Sequence, residues 1–295
     1  MSTSETISLS AGPLRMTLSP TVGGSISAFT FEITGREWPI FRGTAPDEAS
    51  VLNMGSFPLV PFVNRVRDGR FTFRGRDVRL TPDLKFDPSP LHGHGWISSW
   101  EVMSSGPSEA ELRFHYDPGE WPWAYSATQR FRLDESGASL VLTCTNEADE
   151  PMPCGLGHHP YFHCGPDTRL DTPVDHTWTI DELVLPVEKV PAQGRFSLSN
   201  RQVCGQELDH GFGGWGGRAV ISDPAWPFRV AFSSSDAGFF QVYSPPTGGF
   251  FAAEPVTHAN TAMNAPEEQW EELGMRVLAP GETMRLDTRF DVTAA

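Results

Sequence analysis

Basic residues are scarce in this sequence. Its 295 residues include 22 lysines and arginines against 37 aspartates and glutamates, which gives a formal net charge of −15 at pH 7. Nucleic acid binding needs a basic surface, and a strongly acidic one repels phosphate, so nucleic acids and membrane surfaces are disfavoured as partners. The charge is compatible with a neutral or cationic small molecule but selects no chemistry.

Long apolar runs and cysteines are also in short supply. No segment approaches the ~20 apolar residues that span a bilayer, and residues 1–5 have neither the basic start nor the apolar stretch of a secretory signal. There are four cysteines and no Cys-x-x-Cys pair, the four being Cys144, Cys154, Cys164 and Cys204. We therefore expect a cytoplasmic protein with free, buried thiols.

Helical periodicity is scarce too, and only residues 265–274 have a pattern that fits one or two helical turns. Apolar residues instead alternate with polar ones, as in residues 14–18, 29–33, 112–116 and 228–232. The clearest alternation is in the last segment, at Met284, Leu286, Thr288, Phe290 and Val292. Residues 131–144 read as a hairpin with its turn at 134–137. Period-two alternation predicts strands with one face in the core.

Turn-forming residues are abundant, since 28 glycines and 26 prolines lie between the alternating segments. Many short strands joined by many turns are typical of all-β proteins. We find no βαβ alternation, no internal repeat and no low-complexity linker. The sequence therefore predicts an all-β fold with little helix, in which residues 1–295 form a single domain, a large antiparallel β-sandwich.

Four stretches interrupt the alternation with polar residues that suit chemistry. In the first, Asn64 and Arg65 precede an Asp-Gly turn. Arginine offers a fixed fork of donors for hydroxyls or carboxylates; an exposed basic hairpin is the alternative. The second runs from Leu91 to Trp96, where glycines flank His92 and His94. Imidazole exchanges protons near neutral pH, and the His-x-His spacing leaves a metal site as a less favoured alternative.

The third stretch is His158-His159-Pro160-Tyr161-Phe162, which suits the wall of a sugar pocket, although two core histidines bonded to backbone are the alternative. The fourth begins at Glu254, directly after an almost wholly apolar run. Burial raises the pKa of a carboxyl group and makes it a better base. A structural carboxylate bonded to backbone is the alternative here. Asp209 and Gln241 lie in weaker motifs that mean little alone.

Taken together and in this order, the motifs resemble those of the aldose 1-epimerase (galactose mutarotase) family over nearly the whole chain. The resemblance implies a mutarotase-like supersandwich with an open sugar cleft and an isomerase that interconverts the anomers of a free aldose. It implies Glu254 as the base, His159 as the acid and His92 as a hydrogen-bond donor near the ring oxygen. The implied sugar-binding residues are Asn64, Arg65, Asp209 and Gln241. We also expect substrate-binding roles for His94 and for Trp96 or another aromatic on the cleft wall.

Some questions stay open at this point. The His-Gly-His-Gly sequence leaves both His92 and His94 as candidates for the first histidine. The resemblance implies no metal, nucleotide or redox cofactor, and the sequence does not separate a monomer from a homodimer. Two other functions remain, a carbohydrate-binding protein without catalysis and a glycoside hydrolase, which would need two carboxylates flanking the scissile bond. The sugar itself is not specified.

Overall fold

Strands dominate the computed structural model, which describes residues 6–45 and 48–294. Within these ranges the strands, in chain order, are β1 (Ile7–Ala11), β2 (Leu14–Ser19), β3 (Ser25–Ile33), β4 (Arg36–Pro39), β5 (Pro58–Leu59), β6 (Arg70–Phe73), β7 (Arg76–Arg79), β8 (Glu101–Ser105), β9 (Glu109–Tyr116), β10 (Tyr125–Asp134), β11 (Gly137–Asn146), β12 (Met152–Cys154), β13 (Gly157–His158), β14 (Tyr161–His163), β15 (Arg169–Asp171), β16 (His176–Ile180), β17 (Pro186–Pro191), β18 (Arg201–Gln202), β19 (Leu208–Gly213), β20 (Arg218–Ser222), β21 (Phe228–Ser233), β22 (Phe239–Ser244), β23 (Phe250–Val256), β24 (Arg276–Leu278) and β25 (Thr283–Ala294).

Helical structure in the described ranges is limited to single 3₁₀ turns. They lie at Val51–Asn53, Arg67–Gly69, Gly95–Ile97, Gly194–Phe196, Ala262–Asn264 and Glu267–Gln269. The last of these falls inside the stretch where we expected one or two turns. In the same described part of the chain, no helix is long and apolar enough to cross a membrane.

Two large antiparallel sheets form the framework. One has nine strands in the order β18-β15-β20-β21-β25-β11-β10-β9-β8, and the other has eight, β17-β16-β19-β22-β23-β13-β5 with β14 paired to β23. A four-stranded sheet, β1 to β4, packs beside them. The predicted hairpin of residues 131–144 is confirmed as β10 and β11, and the alternating last segment is β25.

Aromatic side chains join the two large sheets. Phe232 of the nine-stranded sheet lies 6.0 Å from Phe240 and 5.5 Å from Phe162 of the eight-stranded sheet, measured between ring centroids. All three rings are fully buried. The inner faces of the sheets thus share one apolar core, and the all-β antiparallel sandwich predicted from the sequence is confirmed.

The cysteines belong to this interior, apart from one. Cys144, Cys154 and Cys164 are buried and Cys204 is partly exposed, and all four carry free thiols. The expectation of burial therefore holds for three of the four.

Candidate active site

A cleft lies on the outer face of the eight-stranded sheet, on the side away from the shared core. Along β22 and β23 the side chains alternate, so that Phe240 and Phe251 enter the core while Gln241 and Glu254 face the other way. Gln241 and Glu254 are direct cross-strand partners, and Asp209 of β19 pairs with Tyr243. Period-two patterning therefore places three of the predicted polar residues on one surface.

Loops bring the remaining residues to this surface. The cleft has a volume of about 360 Å³. Its walls are formed by Arg42, Leu52, Asn53, Phe57, Asn64, Arg65, Phe86, Asp87, Leu91, His92, His159, Tyr161, Asp209, Gln241, Tyr243, Phe250 and Glu254. Seven predicted residues, spread from position 64 to position 254, thus converge on one cavity.

Glu254 and His159 form the centre of the cleft. His159 Nε2 lies 3.3 Å from Glu254 Oε1, and the two side chains are 9% and 2% exposed. Burial raises the pKa of Glu254 well above its usual range, with Asp209 adding to the shift. Burial also lowers the pKa of His159, to about 3. Burial thus disfavours the charged form of both groups.

Two reciprocal hydrogen bonds with the Asn64 backbone fix His92. The Asn64 N–H donates to His92 Nδ1 at 3.0 Å, and the His92 N–H donates to the Asn64 carbonyl at 2.9 Å. Because Nδ1 accepts, the proton of the neutral ring lies on Nε2. Burial lowers the pKa of His92 well below its ordinary value, with His159 and Arg65 adding to the shift. His92 is therefore a neutral hydrogen-bond donor.

The backbone at this contact is strained. Asn64 and His92 have φ values of 58° and 59°, a left-handed conformation that is uncommon for residues other than glycine. Gly93 follows at φ 71°, and a Cβ there would lie 2.3 Å from the Val60 carbonyl oxygen. The glycine after the first histidine is thus required by the close approach of two chain segments. Such strain persists where the surroundings over-determine it, often at functional sites.

Arg65 belongs to a charged network across the cleft. Its Nη2 lies 2.8 Å from Asp87 Oδ2 and 3.7 Å from Asp209 Oδ2. Gln241 Nε2 donates to Asp209 Oδ1 at 2.7 Å. Burial raises the pKa of Asp209, while Arg65 and Gln241 oppose this shift. The network holds donors and acceptors rigidly along one wall, as hydroxyl recognition requires.

Residues outside the cleft hold its loops in place. His258 Nε2 accepts from the Val63 N–H at 3.0 Å, one residue before Asn64. Asn260 Oδ1 accepts from the Arg65 N–H at 3.1 Å. Thr257 Oγ1 accepts from the Leu156 N–H at 2.9 Å, which ties the end of β23 to the strand before His159. The Glu-Pro-x-Thr motif thus combines a cleft carboxylate with a structural hydroxyl.

Trp96 is a correction to the sequence-based expectation, because it does not line the cleft. Its side chain is 1% exposed and its Nε1 donates to the carbonyls of Leu91 and Gly93. The ring packs 5.4 Å from Phe57, which does face the cleft, and Phe57 in turn stacks 4.5 Å from His159. Trp96 therefore supports the wall from behind.

His94 is a second correction, since its ring lies in a separate cavity of about 80 Å³ beside Trp96 and Glu120. It stacks on Tyr116 at 4.3 Å, and burial lowers its pKa to about 4. Of the two candidate histidines, only His92 lines the cleft, so the His-x-His pair does not converge on one ligand. In the described part of the chain no group of three or more His, Cys, Asp or Glu side chains is arranged to hold a metal.

Several cleft residues were missed by the sequence reasoning. They are chiefly Arg42, Phe57, Asp87, Tyr243 and Phe250. Tyr243 and Phe250 follow from alternation, since they share a face with Gln241 and Glu254. Arg42 and Asp87 lie outside regular strands, and no local pattern marks them.

Comparison with known proteins shows which family the chain resembles. A family model for aldose 1-epimerase matches residues 5–291. YphB of Escherichia coli strain K12, an uncharacterized protein, is 31% identical over 286 residues, which cover 93% of this chain and 94% of YphB. The aldose 1-epimerase of the same strain is 28% identical over 108 residues, which cover 35% of this chain and 30% of that protein.

A solved structure extends the likeness to three dimensions. The crystal structure of a candidate aldose 1-epimerase from E. coli K12 superimposes with a TM-score of 0.88 at 28% identity. The superposition covers 99% of this chain and 99% of that one. The similarity therefore includes both large sheets and the cleft loops.

Proposed function

The chain belongs to the aldose 1-epimerase family, and from that premise we propose that it interconverts the α and β anomers of a free aldose. One observation carries the proposal, the contact of 3.3 Å between Glu254 and His159 in a buried cleft. A carboxylate and an imidazole at this separation can both reach one small substrate, which general acid–base catalysis requires.

The reaction needs a base at the C1 hydroxyl and an acid at the ring oxygen. In the proposed mechanism the Glu254 carboxylate takes the C1 hydroxyl proton while His159 gives a proton to the ring oxygen. The bond between C1 and the ring oxygen breaks, and a carbonyl forms at C1. Rotation about C1–C2 presents the other carbonyl face, and the same two groups reverse their transfers as the ring closes.

A single proton on the pair is enough for these roles. A protonated Glu254 beside neutral His159 and an ionised Glu254 beside charged His159 contain the same single proton. Burial, which raises the pKa of Glu254 and lowers that of His159, favours the first arrangement. The second arrangement is the reactive one, and a sugar hydroxyl bonded to the carboxylate stabilises it. Catalysis then requires only that the pair hold one proton.

The remaining cleft residues have binding roles in this proposal. His92 donates from Nε2 to the developing charge near the ring oxygen. Asn64, Arg65, Asp209 and Gln241 hold sugar hydroxyls, since their donors and acceptors form one rigid wall. This scheme uses only side chains of the chain itself.

An anomer-exchange measurement tests the proposal. Freshly dissolved α-glucose, α-galactose and α-xylose are followed by polarimetry with and without the protein, and the spontaneous rate is subtracted. We expect acceleration of at least one sugar. Binding of a sugar without acceleration would favour the carbohydrate-binding alternative, whereas release of nitrophenol from a nitrophenyl glycoside would favour the hydrolase. Both oxygens of Asp209 already face Gln241 and Arg65, which argues against its acting as a second hydrolytic carboxylate.

The wider setting of the protein is also part of the proposal. We propose that residues 1–295 act as a single domain, because cleft residues come from segments far apart in the sequence. The cytoplasmic location and the monomeric or homodimeric state stay predictions. Gel filtration with light scattering measures the assembly state.

A further inference from the structure

Arg42 occupies the cleft in a fixed position. Its Nε donates to the Met54 carbonyl at 3.0 Å, and its Nη2 donates to the Leu52 carbonyl. The guanidinium lies 3.8 Å from the centroid of the Tyr161 ring and 4.5 Å from that of Phe250. Two backbone bonds and two aromatic faces thus hold the side chain, while Nη1 is free of protein acceptors among the described residues.

The two arginines of the cleft differ in how their charges are balanced. Arg65 faces both Asp87 and Asp209. Arg42 forms no ion pair with any residue that the structure describes, and Glu48 interacts with it only weakly. The Glu48 carboxylate accepts instead from the Ser50 N–H and from Asn53 Nδ2, both at 2.7 Å. Arg42 is therefore a partly desolvated cation that faces the cleft, and no carboxylate among the described residues forms an ion pair with it.

Its position along the cleft indicates which part of a sugar it meets. The Tyr161 ring contacts both Arg42 and His159, with 3.8 Å from the Arg42 guanidinium to the Tyr161 centroid and 4.5 Å between the Tyr161 and His159 centroids. His159 in turn lies 3.3 Å from Glu254, measured from Nε2 to Oε1. In a pyranose the ring oxygen is bonded to C1 and to C5. With Glu254 at the C1 hydroxyl and His159 at the ring oxygen, a pose that puts C5 on the Tyr161 side brings the C5 substituent toward Arg42.

We propose that Arg42 binds an anionic group on the exocyclic carbon of the sugar, so that the preferred substrates are acidic aldoses. This inference rests on the proposed function and names its substrate class. A carboxylate, phosphate or sulfonate at that carbon supplies the oxygen acceptors that the free guanidinium donors need. A neutral hydroxyl would satisfy one donor but would leave the cation without a counter-charge in a partly water-excluded site.

The test compares acidic and neutral sugars of the same ring configuration. Anomer exchange is measured at equilibrium by NMR magnetisation transfer for glucuronate against glucose, galacturonate against galactose, and glucose 6-phosphate. We expect kcat/KM to be about 10- to 100-fold higher for an acidic sugar than for its neutral partner, the range of a charge-assisted hydrogen bond. The uronates and the phosphate distinguish a carboxylate site from a phosphate site.

Substitution of Arg42 must abolish that preference. Arg42→Gln should lower the ratio of acidic to neutral kcat/KM by about 10- to 100-fold, and Arg42→Lys should restore part of it, because the charge returns without the fork. Arg36→Gln is the matched control. Arg36 also stacks on an aromatic ring at 3.8 Å, but on Trp38 and outside the cleft. Arg36→Gln removes the same charge from the protein but leaves the cleft intact, so the ratio of acidic to neutral kcat/KM should be unchanged.

Binding separates this inference from the proposed function. Titration calorimetry of glucuronate into Glu254→Gln protein measures affinity without turnover, and Arg42→Gln in that background should weaken glucuronate binding more than glucose binding. Equal kcat/KM for acidic and neutral sugars in the wild type, or a ratio that Arg42→Gln does not change, would overturn the role of Arg42 while the epimerase proposal stands. Preferential glucuronate binding with no exchange of any sugar would instead overturn the epimerase proposal.

Discussion

Two consecutive histidines face opposite sides of the eight-stranded sheet. His158 Nδ1 lies 3.0 Å from Thr288 Oγ1 of the nine-stranded sheet, inside the shared core. His159 Nε2 lies 3.3 Å from Glu254 Oε1 in the cleft. Burial lowers the pKa of both, to about 4 and about 3 respectively. The pKa shift therefore does not distinguish a structural histidine from a candidate catalytic one, whereas the partner does.

The same contrast runs along the neighbouring strands. On β23, Phe251 and Ala253 enter the apolar core, while Glu254 and Phe250 face the cleft. One face of the sheet thus contributes mainly to stability and the other to chemistry. Substitutions on the two faces should separate these properties, and each prediction below tests that separation.

The largest expected effect is on the rate at Glu254. Glu254→Gln keeps the size of the side chain but cannot accept the C1 hydroxyl proton, so anomer interconversion should slow by about 10²- to 10⁴-fold. Polarimetry with the spontaneous rate subtracted measures it. Stability should change little, because the replacement removes a buried ionisable group rather than packing.

A core-face substitution on the same strand is the control for Glu254. Phe251→Leu should lower the free energy of unfolding by about 1 kcal/mol or more and leave the rate per folded molecule near that of the wild type. Wild-type turnover by folded Glu254→Gln protein would mean that Glu254 is not the base, and the carbohydrate-binding alternative would then gain weight.

The second prediction compares the adjacent histidines. His159→Asn removes the proposed acid and should slow interconversion by about 10²- to 10⁴-fold. His158→Asn should leave the rate within a few-fold, since His158 contacts Thr288 rather than the cleft. The rate loss in the double variant of Glu254 and His159 should be far smaller than the product of the two single losses, because the two groups act as a unit. Equal rate losses for the two single histidine variants would indicate that both act only through the fold.

The third prediction concerns acid stability. His158 has a pKa near 6.5 when unfolded and about 4 when folded. Below pH 6.5 His158 therefore binds a proton in the unfolded chain but not in the folded one. The free energy of unfolding therefore falls as the pH drops from about 6.5 to about 4, and below that it is constant. The total loss from this residue is about 3 kcal/mol at most.

Urea unfolding of wild type and His158→Asn from pH 4 to pH 8 isolates that contribution. Above pH 7 the difference in unfolding free energy between the two proteins is constant, and it reports the lost packing and the lost bond to Thr288. The part of the difference that varies with pH reports proton binding by His158. Carboxyl groups with raised pKa values, such as Glu254, change stability with pH in the opposite direction. Their contribution is the same in both proteins, so it cancels in the difference. A difference in unfolding free energy that does not vary with pH would show that His158 is not a buried neutral group.

The fold was largely accessible from the sequence because strand alternation is local. The hairpin of β10 and β11 follows from adjacent segments and a four-residue turn. The insertion of β25 between β11 and β21 does not follow, since it joins residues far apart in the sequence. Local patterns specify strands, and only side-chain packing across the whole chain specifies their order.

The site was accessible only where residues lie in motifs. The sequence pointed to Glu254 and His159 because their neighbours carry the family pattern. Arg42 was missed because it lies outside regular strands, directly after an isolated β-bridge between Phe41 and Phe162. His94 lines a separate cavity, and the His-Gly-His-Gly motif does not show which of its two histidines faces the cleft.

The smallest expected effect on the cleft face is at Gln241. Its amide donates to Asp209 at 2.7 Å and lies beside Glu254 across the strand pair. Gln241→Ala leaves Glu254 and His159 in place but frees the Asp209 carboxylate, so the loss is one hydrogen bond that orients a binding group, about 1 kcal/mol. We expect KM to rise about fivefold with kcat nearly unchanged, measured by the concentration dependence of anomer exchange. Ser244→Ala on the same strand is the control, because Ser244 Oγ bonds the backbone of Val203 and Gln206 outside the cleft. A loss of kcat as large as that of Glu254→Gln would mean that Gln241 takes part in proton transfer, and the division of the cleft face into reacting and binding residues would then be wrong.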